Sequence, residues 1–274
     1  MPSRPAASSW PCVVTTSEIA PGAGAEALCT DCPHAASLLA ARQCEPGEVC
    51  VRARSGRQIE RFLRAHPDNA VAYLADPFWE RRAVAARHAP LDVVRPLARD
   101  RDEVVRRVVA TRLPPKELAG LRHDPDREVR VAVAQRLPEE GLPGMAGDPD
   151  YMVRVIVARR LSHGKLPRLL GDPEREVRKT VARRLPSFAL GKLLRDPEVE
   201  VRRIVAERAL PDDAARLLGD SDWTVRLAAL RRAPREAVRP LLDDPEAEVR
   251  AAAWQRLAQA EVAAPPADDD SSFF

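Results

Sequence analysis

The sequence predicts an all-α solenoid built from 24-residue repeats, each an α-helix plus a short 3₁₀-like helix, with no β-sheet. A small cysteine-rich module is expected to cap its N-terminal end. Three observations carry this. An Asp opens a self-similar unit at Asp76, Asp100, Asp124, Asp148, Asp172, Asp196, Asp220 and Asp244, each 24 residues after the last. Within the unit, counted from that Asp as position 0, apolar residues fall at positions 5, 8, 9 and 13, which is one helical stripe. In the fifth copy these are Val177, Thr180, Val181 and Leu185. No stretch alternates with period two, so no strand is predicted.

Residues 1–27 are rich in Pro, Ala, Ser and Gly and read as an irregular tail containing Cys12. The other four cysteines, Cys29, Cys32, Cys44 and Cys50, crowd into residues 28–54, and none occurs in the repeats. No apolar leader precedes them, so a reducing, cytoplasmic setting is expected, which argues against structural disulfides and for a metal or redox site. Cys29 and Cys32 sit on one turn, followed by an expected helix from His34 to Arg42. Glu45-Pro46-Gly47-Glu48 forms a second turn between Cys44 and Cys50. On spacing alone the thiols read as free cysteines, as a Cys₄ zinc site or as an iron–sulfur site. His34 and His66 read as surface or capping residues.

Residues 55–75 resemble a degenerate unit. Ser55 is placed to cap a helix ending at Ala65, Pro67 stops it, and Val71 and Leu74 supply a short second segment. The repeats proper run over residues 76–263. Phe78 and Trp79 replace the usual acidic start of the first one, which suggests contact with the preceding module.

Inside a repeat, Asp-Pro is the expected helix start, with Asp as cap and Pro at the first helical position. Position 2 is acidic in seven copies, from Asp102 to Glu246. It lies four residues before an Arg present at position 6 in all eight, from Arg82 to Arg250. That spacing predicts exposed pairs along a solvated face, each contributing about 0.3–0.5 kcal/mol. Ala at position 10 leaves room for a neighbouring helix. Pro at position 14 then stops a helix of about 13 residues. Leu118 with Leu121, Leu166 with Leu169, and Leu190 with Leu193 mark a segment too short for a second full helix, hence 3₁₀. Ordering one unit costs about 36 kcal/mol at ~1.5 kcal/mol per residue, so units must stack to offset it. Residues 264–274, acidic and Pro-rich, read as a disordered tail.

The pattern DPxxxVRxxVAxRLPxxxLxxLL resembles the leucine-rich repeat variant family, over about Asp76 to Val262. The resemblance implies α- and 3₁₀-helices stacked in a right-handed superhelix. Leu210 and Ala258 depart from it at the stop Pro, and Trp254 at the small Ala. CTDCPHAASLLAARQCEPGEVC is similar to the N-terminal segment of such proteins. The resemblance implies that Cys29, Cys32, Cys44 and Cys50 ligate a [4Fe-4S] cluster, with zinc as the runner-up and Cys12 outside the ligand set.

Basic and acidic residues number 44 and 41, too nearly balanced to favour polyanions. No apolar run approaches a membrane span. The five His are scattered, and neither a nucleophile–base pair nor a phosphate-cradling Gly loop is present, so no enzyme is predicted. The expected role is a scaffold for a macromolecular partner, protein rather than nucleic acid. A basic face of Arg159, Lys179, Arg183, Arg203 and Arg231 supports nucleic-acid binding as the alternative, although the sequence offers it no evident base-stacking aromatics. Electron transfer to a docked partner is the third reading.

Overall fold

A computed structural model describes residues 27–258. The two tails, with Cys12, Phe273 and Phe274, lie outside the described residues. The chain divides into two compact units, Met1–Arg112 and Leu113–Phe274. Among the described residues each is built from helices, and the only β feature is an isolated bridge between Glu45 and Val49.

In the second unit, ten-residue α-helices span Arg127–Arg136, Tyr151–Arg160, Arg175–Arg184 and Val199–Arg208, followed by Trp223–Leu230 and Ala247–Ala258. Each packs on the next. The 3₁₀ segment Pro115–Leu121 precedes the first of them, and Glu139–Met145, His163–Leu169 and Ser187–Leu193 run between them. Pro211–Leu217 is α-helical instead. The first unit follows the same plan. Helices Gly56–Ala65, Trp79–His88 and Glu103–Arg112 pack in succession. The predicted stripe is the core: Val177, Val181 and Leu185 are buried, as are Leu166, Leu169, Leu190 and Leu193. Ala134, Ala158, Ala182 and Ala206 at position 10 are fully enclosed, which is why a small side chain belongs there.

The start of the repeat differs from the sequence reading. Helices begin at position 3, not at Asp-Pro. The residue at position 2 is the cap: Asp126 accepts from the amides of Glu128 and Val129, and Asp222 from that of Thr224. The Asp at position 0 is buried instead, its Oδ1 accepting from the amide of position 2, as Asp196 does from Glu198 at 2.9 Å.

Its partner is the invariant Arg, which is likewise not exposed. Arg178 is 7% exposed. Its Nε and Nη2 donate to both carboxylate oxygens of Asp196, in the following repeat, at 2.8 and 3.1 Å. Its Nη1 donates to the carbonyls of Asp172 and Pro173, in its own repeat, at 2.8 and 3.1 Å. The same fork joins Arg82 to Asp100, Arg130 to Asp148, Arg154 to Asp172, Arg202 to Asp220 and Arg226 to Asp244. A planar guanidinium matches a carboxylate with two parallel bonds and has a donor left for backbone. The acid at position 2 is turned instead to the helix amides where it caps, as in Asp126, Asp150, Glu174 and Asp222.

The second recurrent arginine, at position 12, also joins neighbours. Arg184 Nη1 donates to the carbonyls of Ala158 and Leu161, and Arg112 Nη1 to those of Ala86 and Ala89. Repeats are thus riveted through backbone carbonyls as well as through apolar contact.

In residues 55–75 the helix runs from Gly56 to Ala65 as expected, and a 3₁₀ segment covers Pro67–Tyr73. The buried pair is Ala70 and Tyr73 rather than Val71 and Leu74, and Val71 is 46% exposed. Starting the 3₁₀ turn at Pro67 sets this register, one residue earlier than the apolar pattern suggested.

Candidate metal centre

The cysteine segment is a series of tight turns pinned to the helix that follows. The amide of Cys32 donates to the Cys29 carbonyl at 3.2 Å, closing the first turn, and that of Ala35 to the Cys32 carbonyl at 3.1 Å. The expected helix from His34 to Arg42 is a single π-helical stretch, Ala35–Leu39. Wider i to i+5 winding, as in Leu39 to His34 at 3.2 Å, suits a nine-residue span held at both ends. Arg42 leaves it with φ 56°, turning the chain sharply before Cys44. The second turn closes through Glu45 and Val49, whose amides and carbonyls pair at 3.1 and 2.9 Å. Gly47 stands within it at φ 82°, a conformation that glycine adopts without penalty.

Each cysteine loop is bonded from residues 55–73. Tyr73 Oη meets His34 Nε2 at 2.8 Å, next to Cys32. His66 Nε2 meets the Gln43 carbonyl at 2.8 Å, next to Cys44. Gln58 donates to the Gly47 carbonyl, and Arg61 pairs with Glu48 at 2.6 Å, between Cys44 and Cys50. His34 also packs its ring between Phe62 and Tyr73, at centroid distances of 5.2 and 6.0 Å. Both histidines therefore act as fasteners. Tyr73 is the one sequence reasoning missed. Its signal was the presence of an aromatic with a polar tip three residues after Ala70, in a chain with only two Tyr.

Cys50 is buried, and Cys29, Cys32 and Cys44 are half-buried. Burial pushes the Cys44 thiol up, and Cys32, Cys50 and Cys29 push it further. The other three cysteines therefore lie within electrostatic reach of Cys44. Burial, with a contribution from Cys32, also pushes the Tyr73 phenol up to about 12, although Arg81 and Arg52 oppose it. Four soft thiols on one short, partly dry segment fit an iron–sulfur cluster in donor type and neighbourhood. Among the described residues no group of three or more His, Cys, Asp or Glu side chains is placed so that it could hold a metal ion.

Next to this segment, the first repeat carries Arg81 at position 5, where the others carry Val. Arg81 pairs with Asp76 at 2.7 Å and lies over the Phe78 ring at 5.3 Å. Trp79 is 37% exposed.

Comparison with known proteins bears on both parts. Residues 23–72 match the family profile described as "LRV protein FeS4 cluster". Residues 127–150 and 175–198 match that described as "Leucine rich repeat variant". A solved structure, "a leucine-rich repeat variant with a novel repetitive protein structural motif", is 55% identical and aligns with a TM-score of 0.79, over 84% of this chain and 98% of the other. The chain belongs to the leucine-rich repeat variant family. As a leucine-rich repeat variant protein it carries that family's iron–sulfur segment, with all four described cysteines inside the matched span. An "uncharacterized 27.7 kDa protein in nifB 3'region" of Rhodobacter capsulatus is 42% identical over 77 residues, 28% of this chain and 31% of that protein. The match thus spans about a third of that relative's length. No helix among the described residues is long and apolar enough to cross a membrane.

Proposed function

We propose that this protein is a [4Fe-4S]-bearing scaffold, in which Cys29, Cys32, Cys44 and Cys50 hold the cluster and the stacked helices present a surface to a protein partner in the cytoplasm. The observation that carries the cofactor assignment is that four thiols, three of them acting electrostatically on Cys44, fall inside the span that matches the family's iron–sulfur segment. When bound, such a cluster supplies one-electron chemistry and a cross-link between loops. The chain's own residues orient the loops: His34 through Tyr73, Gln43 through His66, and the 45–49 turn through Gln58 and Arg61.

Non-catalytic binding is supported by the economy of the buried polar groups. The recurrent arginines from Arg82 to Arg226 and the aspartates that follow them are spent on joining repeats. The basic face, already broken in sequence by Thr111, Gln135, Glu207 and Gln255, is further neutralised at Lys179, which bonds Glu176 at 3.0 Å and Glu200 at 2.5 Å. That observation favours a protein partner over a polyanion tracking the whole face.

Anaerobically purified protein should be brown and contain about four irons and four sulfides per chain. Stoichiometric zinc without sulfide would replace the cluster assignment. For the scaffold role, a partner captured from the native host should re-form a complex with the purified protein. Catalytic turnover of a small molecule without any such complex would contradict it.

A further inference from the structure

Beyond the scaffold reading, we infer that the groove between helices Val199–Arg208 and Trp223–Leu230 binds a nucleoside phosphate, either as a free nucleotide or as a unit of a single strand. Trp223, Leu227 and Arg231 are spaced by four and share one face of their helix. Arg203 and Glu207 do the same on the neighbouring helix, and the two sets line one groove of about 390 Å³. That volume lies within the range of small-molecule sites.

The groove offers three kinds of contact together. The Trp223 ring is 38% exposed and presents a stacking face. Arg203 and Arg231 are exposed; among the described residues no side-chain hydrogen bond from either is seen, and Arg203 acts on the Glu200 carboxylate only through charge. Their guanidinium donors therefore remain available for a phosphate. Arg232 is fixed instead, its Nε donating to the Glu207 carbonyl at 3.1 Å. The Glu207 carboxylate is the one acid in the groove lining. It repels phosphate but accepts from an N–H, as an exocyclic base amine provides. An aromatic plate, two cations and a single acceptor match a base with its phosphate better than they match a bare anion or an acidic peptide.

This is a local site, not a strip. Lys179, at the position equivalent to Arg203 one repeat earlier, is already bonded to Glu176 and Glu200. Tyr151, Val155 and Arg159 repeat the aromatic–aliphatic–Arg register, but the repeat before them has Val131 where Arg203 would stand. The exposed aromatics at Tyr151 and Trp223 also correct the expectation that this face has none for stacking.

Titration calorimetry on the full chain with AMP, with a short oligoadenylate and with inorganic phosphate tests the site. Saturable binding of AMP or of the oligonucleotide is expected, tighter than phosphate by about tenfold or more. Trp223→Ala and the Arg203→Glu/Arg231→Glu double variant should each weaken it about tenfold or more, and Trp223→Phe should restore most of it. Oligonucleotide binding much tighter than AMP identifies a strand as the ligand, and equal binding identifies the free nucleotide. Phosphate binding as tightly as AMP, no binding of any probe, or binding indifferent to both the Trp223→Ala and the double-arginine change would overturn the proposal.

Discussion

Arg178 shows how one side chain carries a repeat. Its guanidinium satisfies both oxygens of Asp196 and two backbone carbonyls in a nearly dry site. Removing it leaves a buried carboxylate with the Glu198 amide but no counter-charge, and two carbonyls without this donor, and breaking such a pair costs about 3–5 kcal/mol. Val181, fully buried, should cost about 1–3 kcal/mol on truncation to Ala. Arg178→Ala is therefore expected to lower stability in urea more than Val181→Ala; the reverse order would mean that the fork contributes little. The same aspartates set an acid limit. Burial alone would raise the Asp100 and Asp220 carboxyls, but Arg82 and Arg202 with the capping amides hold them below the usual range. Arg226 holds Asp244 down likewise. A carboxyl lowered on folding stabilises above its unfolded value, roughly pH 4 for Asp, and that stability is lost as pH falls through the lowered folded value. Melting temperature should thus fall steeply below about pH 4 while varying little from there to neutrality as far as these groups are concerned. A stability flat down to pH 2 would contradict the role given to the forks.

At the scale of the element, the helices were legible from the period-24 pattern, but their ends were not. Asp-Pro looks like a cap and first turn in any sequence. Only the stack reveals that position 0 must face the preceding repeat's arginine, which hands capping to position 2. Asp126→Ala should then cost about 1 kcal/mol, read as a shift in urea midpoint, and an unchanged midpoint would remove the cap assignment. The C-terminal stop was credited to Pro at position 14, yet Tyr151–Arg160 and Val199–Arg208 end at position 12 although Ser162 and Leu210 stand at position 14. Arginines at position 12 gripping the previous helix's carbonyls, as Arg160 does at Ala134 and Arg208 at Ala182, offer a reason the proline is dispensable. In the cysteine segment the four candidate ligands were evident as residues. The π-helical turn and the clasp from Tyr73, His66, Gln58 and Arg61 were not, since they depend on long-range pairing that no local pattern encodes.

For the whole molecule, the two compact units imply two responses to metal loss. The clasp ties the cysteine loops to residues 56–73, so their order should rise and fall together. Chelation of the cluster should speed amide hydrogen exchange across residues 29–53 and at Tyr73, and leave exchange beyond Leu113 unchanged. Uniform acceleration along the chain would show that the cluster supports both units alike.

The central claim, that the four cysteines of one segment hold one iron–sulfur cluster, is met most directly by replacing each cysteine with serine and measuring iron, sulfide and visible absorbance after anaerobic purification. Cys29→Ser, Cys32→Ser, Cys44→Ser and Cys50→Ser are each expected to lose or degrade the cluster, while Cys12→Ser keeps the full iron count and spectrum. Bleaching by Cys12→Ser, with any one of the other four left intact, would contradict the claim.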